Sequence, residues 1–519
     1  MMFTNPIIRG FNPDPRICRV GIDYYLATSS FAYFPGIPVY HSRDLVNWRL
    51  VGHALTRETQ LPLSGAGIKQ GIWAPTLRFH AGRFYATATR MGKNGPVNFY
   101  VSTDDPSGEW SEPVEVDQKG IDPDLFFDDD GRVYYLSTHP LPELPGSGIA
   151  MAEIDIETGQ RLTDIRPLWP GTGGLAPEGP HLYKIRGWYY LMIAEGGTYS
   201  GHMETIARSR QVWGPYAPCP HNPILTHRND HSLPIQSAGH ADLVEAHDGS
   251  WWMVHLGIRQ TFYQKSQLGR ETFLTPVTWT PDGWPLVNGG RGVTELESAG
   301  PKLPRHPWPA QPARDGFGGP ALGPHWIFLR NPRRERYDLA SRPGWLRLHG
   351  GEETLVEPSA SPTFVCRRQT QPSMRVRARI DFAGSREESE AGLTVFMAPD
   401  AFYQFGIGIH DGRRRVFVRR RLDDLTVISA VCDAPPGHVD LAIESTATEY
   451  VFSTVSADGN STIIDRATSR YLCAEVADTF SGAMIGVFAD NATADFGAFE
   501  FVAQSKGMQL HDDLCEPIG

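Results

Sequence analysis

The stretch Phe11–Ser30, "FNPDPRICRVGIDYYLATSS", holds a charged residue, Asp14, between Pro13 and Pro15, directly ahead of an alternating run that ends in paired tyrosines. Proline fixes its own φ and disfavours helical backbone at the residue before it, so the sequence predicts Asp14 on a stiff, extended backbone entering a strand. Were the phrase unique, a turn would explain Asn, Pro and Asp equally well. Four further stretches repeat its plan: "APTLRFHAGRFYATAT" (74–89), "DPDLFFDDDGRVYYLST" (122–138), "GPHLYKIRGWYYLMIA" (179–194) and "ADLVEAHDGSWWMVHLG" (241–257). Each is a short apolar strand, a polar or Gly turn, then two aromatics opening a second strand.

The aromatic pairs Tyr24/Tyr25, Phe84/Tyr85, Tyr134/Tyr135, Tyr189/Tyr190 and Trp251/Trp252 recur about every 50 to 60 residues, the length of a four-stranded propeller blade. Such aromatics are scaffold, as are Trp48, Trp110 and Trp213 in the trailing phrases "HSRDLVNW", "STDDPSGEW" and "RSRQVWGPY", which are expected to pack between blades. The predicted fold is all-β, with a five-bladed β-propeller over residues 1–298. Residues 299–326, dense in Pro and Gly, read as a wrapped linker. Beyond it, short alternating segments such as "MRVRARIDF", "AGLTVFMAP" and "FGAFEFVA" predict a β-sandwich over 327–519.

Composition narrows the partners. A net charge of -11 gives no general basic surface for nucleic acid or anionic membrane, and a neutral polar substrate fits better. No apolar run is long enough to span a bilayer, and "MMFTNPIIRGFNPDP" has no export-signal pattern, so a soluble, cytoplasmic protein is expected. Six scattered cysteines without a CxxC pair read as free thiols. The "DDDG" at 128–131 reads as a solvated hairpin turn rather than half a calcium loop, and "GRRRVFVRRRLDD" as a solvated sheet face.

In a propeller the innermost strand of each blade starts near the axis. Counting back ten to twelve places from the aromatic pairs reaches Asp14, Trp73 with Ala74, Asp122, Glu178 and His240. Carboxylates gathered at an axis repel one another and raise at least one pKa, an arrangement that costs stability and so points to function.

At these residues the chain resembles glycoside hydrolase family 43, which includes β-xylosidases and α-L-arabinofuranosidases. The phrases that carry the resemblance are "NPIIRGFNPDPRICRVGIDYYLATSSF", "GIWAPTLRFH", "GIDPDLFFDDDGRVYYLS", "APEGPHLYKIRGWYYLMIAEGGT", "SAGHADLV" and "LGRET". The resemblance implies Asp14 as general base, Glu178 as general acid and Asp122 as the group that orients the acid and tunes its pKa. It implies Phe31 and Trp73 as walls of a sugar pocket, Thr198 of "AEGGT" among the substrate-binding residues, His240 at the propeller centre and Arg270 on the sugar hydroxyls. It also implies a jelly-roll, concanavalin-like sandwich whose loop closes the pocket with an aromatic, for which Phe496 is the candidate. No cofactor is required, although a structural calcium ion near His240 is an option in such propellers.

Cleavage with inversion needs a protonated acid at the leaving oxygen and a carboxylate activating water on the opposite face, roughly 6.5 to 9.5 Å away. Asp14 and Glu178 on different blades suit that gap. The expected activity is exo-acting release of a terminal pentose, β-D-xylose or α-L-arabinofuranose, from oligosaccharides, and a homo-oligomer is compatible with it. A carbohydrate-binding propeller without catalysis and a scaffold for protein partners are the alternatives. Three places depart from the β-xylosidase pattern: Tyr33 stands where a Trp is common, "STHPLPELPGSGIAM" lacks an aromatic, and "RQTFYQKSQLGRET" is distinctive.

Overall fold

Each repeat becomes the two inner strands of an antiparallel blade, four-stranded except in the fourth blade, where Leu225–Thr226 adds a fifth short strand. In the first blade Arg16–Val20 pairs with Asp23–Ala27, which pairs with Gly36–Ser42 and then Arg49–Leu55. The other four blades begin with the inner strands Gly71–His80, Ile121–Phe127, Glu178–Ile185 and Ile235–Glu245. This computed structural model describes residues 2–140 and 146–503. Cys515 and the central part of "STHPLPELPGSGIAM" lie outside the described residues, and the five described cysteines are free thiols.

Alternation puts every second residue of these strands between neighbouring blades, where burial of large apolar side chains drives the packing. Trp110 joins Leu77, Phe84 and Phe99 against Val39 and Leu55 of the first blade. Trp213 packs edge-on against Tyr134 at 5.6 Å. The ring closes where Tyr24 and Leu26 of the first blade meet Trp252, Val254 and Leu274 of the fifth. Outside the ring Met2–Thr4 pairs with Glu297–Ala299, and the Asn5 side chain both donates to the Leu274 carbonyl and accepts from its amide, each at 2.9 Å. The "DDDG" segment is a hairpin turn exposed at Asp129, Asp130 and Gly131, as expected, but Asp128 is buried and binds Lys184 at 2.6 Å and Tyr189 at 2.7 Å, linking the third blade to the fourth.

The second domain is a sandwich of two large antiparallel sheets around Val376, Ile380, Leu393, Phe405, Leu441 and Phe452. Its chain is taken up at Arg314–Asp315, which pairs with the strand Thr493–Ala503, and Trp326 is already in its core, so the sandwich starts ahead of residue 327. The linker before it wraps the propeller, with Trp308 under the Arg49 guanidinium at 3.9 Å. The basic run forms the strand Arg413–Leu422, where Arg419 binds Glu390 and Arg420 binds Asp465.

The two domains share hydrogen bonds as well as surface. Tyr33–Phe34, from the propeller, is the edge strand of a sandwich sheet, paired with Ile327–Leu329. The adjoining Arg330 is fully buried and binds only carbonyls, those of Ala66, Pro358 and Ala360.

Candidate active site

The five inner strands enter the axis through one backbone device. Asp14 (φ 55°), Ala74 (25°), Asp122 (55°), Gly179 (58°) and His240 (52°) all adopt left-handed conformations, and the first four precede a proline. The extended backbone predicted for Asp14 is therefore not what the ring uses. A left-handed residue turns its side chain toward the axis and bulges the strand, as the register shifts at Trp73/Thr76, Ile121/Asp124, Glu178/His181 and Gly239/Asp242 record. Such a conformation costs on the order of 1–3 kcal/mol at a non-glycine residue and persists only where the surrounding fold enforces it. Glu178 stands one place before the left-handed position, which is Gly179; a Cβ there would lie 2.1 Å from the His240 ring, so only glycine lets the acid's strand pass His240.

The residues so placed converge on a cavity of about 70 Å³ lined by Asp14, Phe31, Trp73, Ala74, Ile121, Asp122, Glu178, Thr198, His240, Arg270 and Phe480. Asp14 is anchored on three sides. Its Oδ2 accepts from Ser29 Oγ at 2.5 Å, and its Oδ1 meets His240 Nδ1 at 2.8 Å and Arg270 Nη1 at 3.2 Å. The other ring nitrogen of His240 lies 3.5 Å from Asp122 Oδ2, so the imidazole bridges the two aspartates. Arg270 also donates to Thr198 Oγ1 at 3.2 Å.

Electrostatics drives the carboxyl groups apart. Burial alone would raise the pKa of Asp14, but Arg270 and His240 outweigh it and hold the group well below the usual carboxylate range. Burial, then the charge of Asp122, lifts Glu178 to about 7 against the opposing pull of His240 and Arg270. Burial and Arg16 oppose protonation of His240, yet Asp14 and Asp122 prevail and its pKa reaches about 9. At neutral pH the site thus holds an ionised Asp14, an imidazolium and a Glu178 carboxyl that is substantially protonated.

Phe496, the sequence candidate for the lid, is not at the pocket. It is fully buried in the sandwich core, paired with Leu346 and Ile380, because alternation along Thr493–Ala503 points it inward. The sandwich reaches the pocket instead through Phe480, whose ring lies 5.5 Å from Phe31 and 6.0 Å from Trp73. Its segment docks on the loop ahead of Arg270: the amides of Ala474 and Ala483 donate to the carbonyls of Ser266 and Gln267, and Asp478 binds Lys69 at 2.6 Å. A Cβ at Gly482 would lie 2.1 Å from the Leu268 carbonyl, so glycine is needed for that approach. Tyr33 is likewise not a pocket residue but is fully buried beside Phe11 and Leu329.

Below the pocket lies a second layer. Residues two places along a strand share a face, so Arg16, Thr76, Asp124, His181 and Asp242 repeat the ring one step deeper, each at most 1% exposed. Asp124 and Asp242 face Arg78 at 2.7 and 3.7 Å. Arg16 Nη1 donates to the carbonyls of Pro15 and His240, both at 2.9 Å. Among the described residues no group of three or more His, Cys, Asp or Glu side chains is disposed to hold a metal ion. The donors at this axis, with a guanidinium in their midst, do not suit calcium.

A family model for glycosyl hydrolases family 43 matches residues 3–285, and one for the beta xylosidase C-terminal concanavalin A-like domain matches 314–502. The chain belongs to glycoside hydrolase family 43. It is 44% identical over 509 residues to a Bacteroides ovatus enzyme named non-reducing end alpha-L-arabinofuranosidase, covering 96% of this chain and 94% of that one. It is 41% identical over 405 residues to a Butyrivibrio fibrisolvens xylosidase/arabinosidase, covering 76% and 77% of the two chains. Among solved structures, a xylan beta-1,4-xylosidase from Bacillus halodurans superposes with a TM-score of 0.92 at 31% identity, over 96% of this chain and 100% of that one. As a family 43 protein the chain is a glycosidase, built as a five-bladed propeller with a concanavalin-like sandwich.

Proposed function

We propose that this glycosidase is exo-acting and inverting, and that it releases a terminal pentose from the non-reducing end of short oligosaccharides. The observation that carries the reading is two carboxyl groups of one pocket in opposed surroundings: Asp14, held ionised by Arg270 and His240 in contact with it, and Glu178, lifted to about 7 by burial and Asp122. Asp14 takes a proton from a water whose oxygen attacks the anomeric carbon. Glu178 gives its proton to the glycosidic oxygen as that bond breaks, so no sugar becomes attached to the protein. Asp122 keeps Glu178 protonated, and Arg270 with Thr198 meets the sugar hydroxyls. Phe31, Trp73 and Phe480 wall off a space suited to a single sugar ring, which supports attack at a chain end.

α-L-Arabinofuranose is the leading substrate, on the strength of the Bacteroides ovatus relative, and β-D-xylose is the second, supported by the dual name of the Butyrivibrio one. Both sugars are tested by offering the nitrophenyl α-L-arabinofuranoside and β-D-xylopyranoside and following the released sugar by proton NMR. We expect free pentose whose first-formed anomer is inverted. Retention of configuration would refute the single-step reading, and failure to release either pentose would refute the substrate class.

A further inference from the structure

We propose that Arg16 is a built-in axial cation, which takes the place of a metal ion under the pocket and positions the His240–Asp14 pair. The guanidinium is 1% exposed. Its Nη1 ties together two backbone points of the site, the carbonyl of Pro15, which follows Asp14, and the carbonyl of His240. One of these points is the backbone next to Asp14, and the other is the backbone of His240, whose ring holds the ionised Asp14.

The carboxylates of the axis have cationic partners supplied by the fold. In the upper layer Asp14 and Asp122 face His240 and Arg270. In the lower layer Asp124 and Asp242 face Arg78, with Arg16 as the remaining cation. Glu204, a further buried carboxyl, accepts from the Ala241 amide at 3.0 Å. A divalent ion here would stand against a fixed guanidinium in a low-dielectric interior, where like charges repel most strongly. Arginine suits this post because it stays protonated and its planar fork can hold several acceptors at once.

The kinetic half of this inference rests on Asp14 being the base, whereas the metal half does not. The first experiment therefore measures melting temperature and turnover of the wild-type protein after exhaustive EDTA treatment, then with calcium added back. Both should stay unchanged throughout. Loss of either that calcium restores would overturn the inference whatever the catalytic roles. The second compares Arg16→Met with Arg16→Lys. A misplaced catalytic pair costs about 100-fold, so Arg16→Met should lose kcat on that scale with KM much less altered, and Arg16→Lys should recover part of it. A folded Arg16→Met protein with wild-type kcat would overturn the positioning role. If Arg16→Met does not fold, Arg16→Lys and the EDTA measurement still decide.

Discussion

Replacing Asp122 by Asn separates the two causes that keep Glu178 protonated. The carboxyl stands at about 7 against an ordinary 4.5, a rise worth about 3 kcal/mol. Burial is the larger cause and survives the substitution; the charge of Asp122 is the next and does not. A neighbouring full charge shifts a carboxyl by roughly 1 to 3 units, and with burial intact the expected fall is about one unit, the low end of that range. The sign follows from the role. Glu178 must be protonated to act, so kcat/KM is lost as pH rises through its pKa, near 7 in the wild type and near 6 in Asp122→Asn. Asp14 must be ionised, and its depressed pKa leaves the base competent until the pH is strongly acidic. The assay is the pH profile of kcat/KM on a disaccharide, whose leaving oxygen needs the proton, with a nitrophenyl glycoside as the control that does not. An alkaline limb that stays in place in Asp122→Asn, or that survives in Glu178→Gln, would refute this account of the acid.

Asp14→Ala should cut turnover by about 100 to 10,000-fold on the disaccharide and the nitrophenyl glycoside alike, since both need activated water; near-normal rates on either would remove the base assignment. The two phenylalanines of the sandwich should separate cleanly. Phe480→Ala should raise KM and lower kcat with an almost unchanged melting temperature, whereas Phe496→Ala should cost about 3–5 kcal/mol of stability in denaturant unfolding and leave the folded enzyme's kinetics alone. Identical behaviour of the pair would contradict the placement of one of them.

The propeller was readable because its evidence is periodic. Aromatic pairs return in each blade, and once they imply a propeller, counting back from them lands on Asp14, Asp122, Glu178 and His240. The left-handed backbone at Asp14 and Asp122 was not readable, since proline's local preference argues against it and only the closed ring overrides that preference. Phe480 left no trace in the sequence for a similar reason. It sits in an irregular segment whose path depends on Gly482 meeting Leu268, a contact that no periodicity announces, while Phe496 belongs to an obvious strand and drew attention it had not merited. Arg16 lay in plain view two places after Asp14. What marks it is burial without a carboxylate on the same strand, and burial is not written in a single sequence.

The pairing of Tyr33–Phe34 with Ile327–Leu329 bears on how far the two domains can be treated as parts. A seam that runs through a sheet cannot be cut at the linker: excising the sandwich strips the backbone partners of Ala32, Tyr33 and Phe34 and leaves Phe31, only three residues from Phe34, without its neighbour Phe480. Heat or denaturant should accordingly melt the chain in one cooperative step rather than two. A chimera that borrows its sandwich from a relative inherits the same constraint, because the sheet it brings must accept an edge strand supplied by the host propeller.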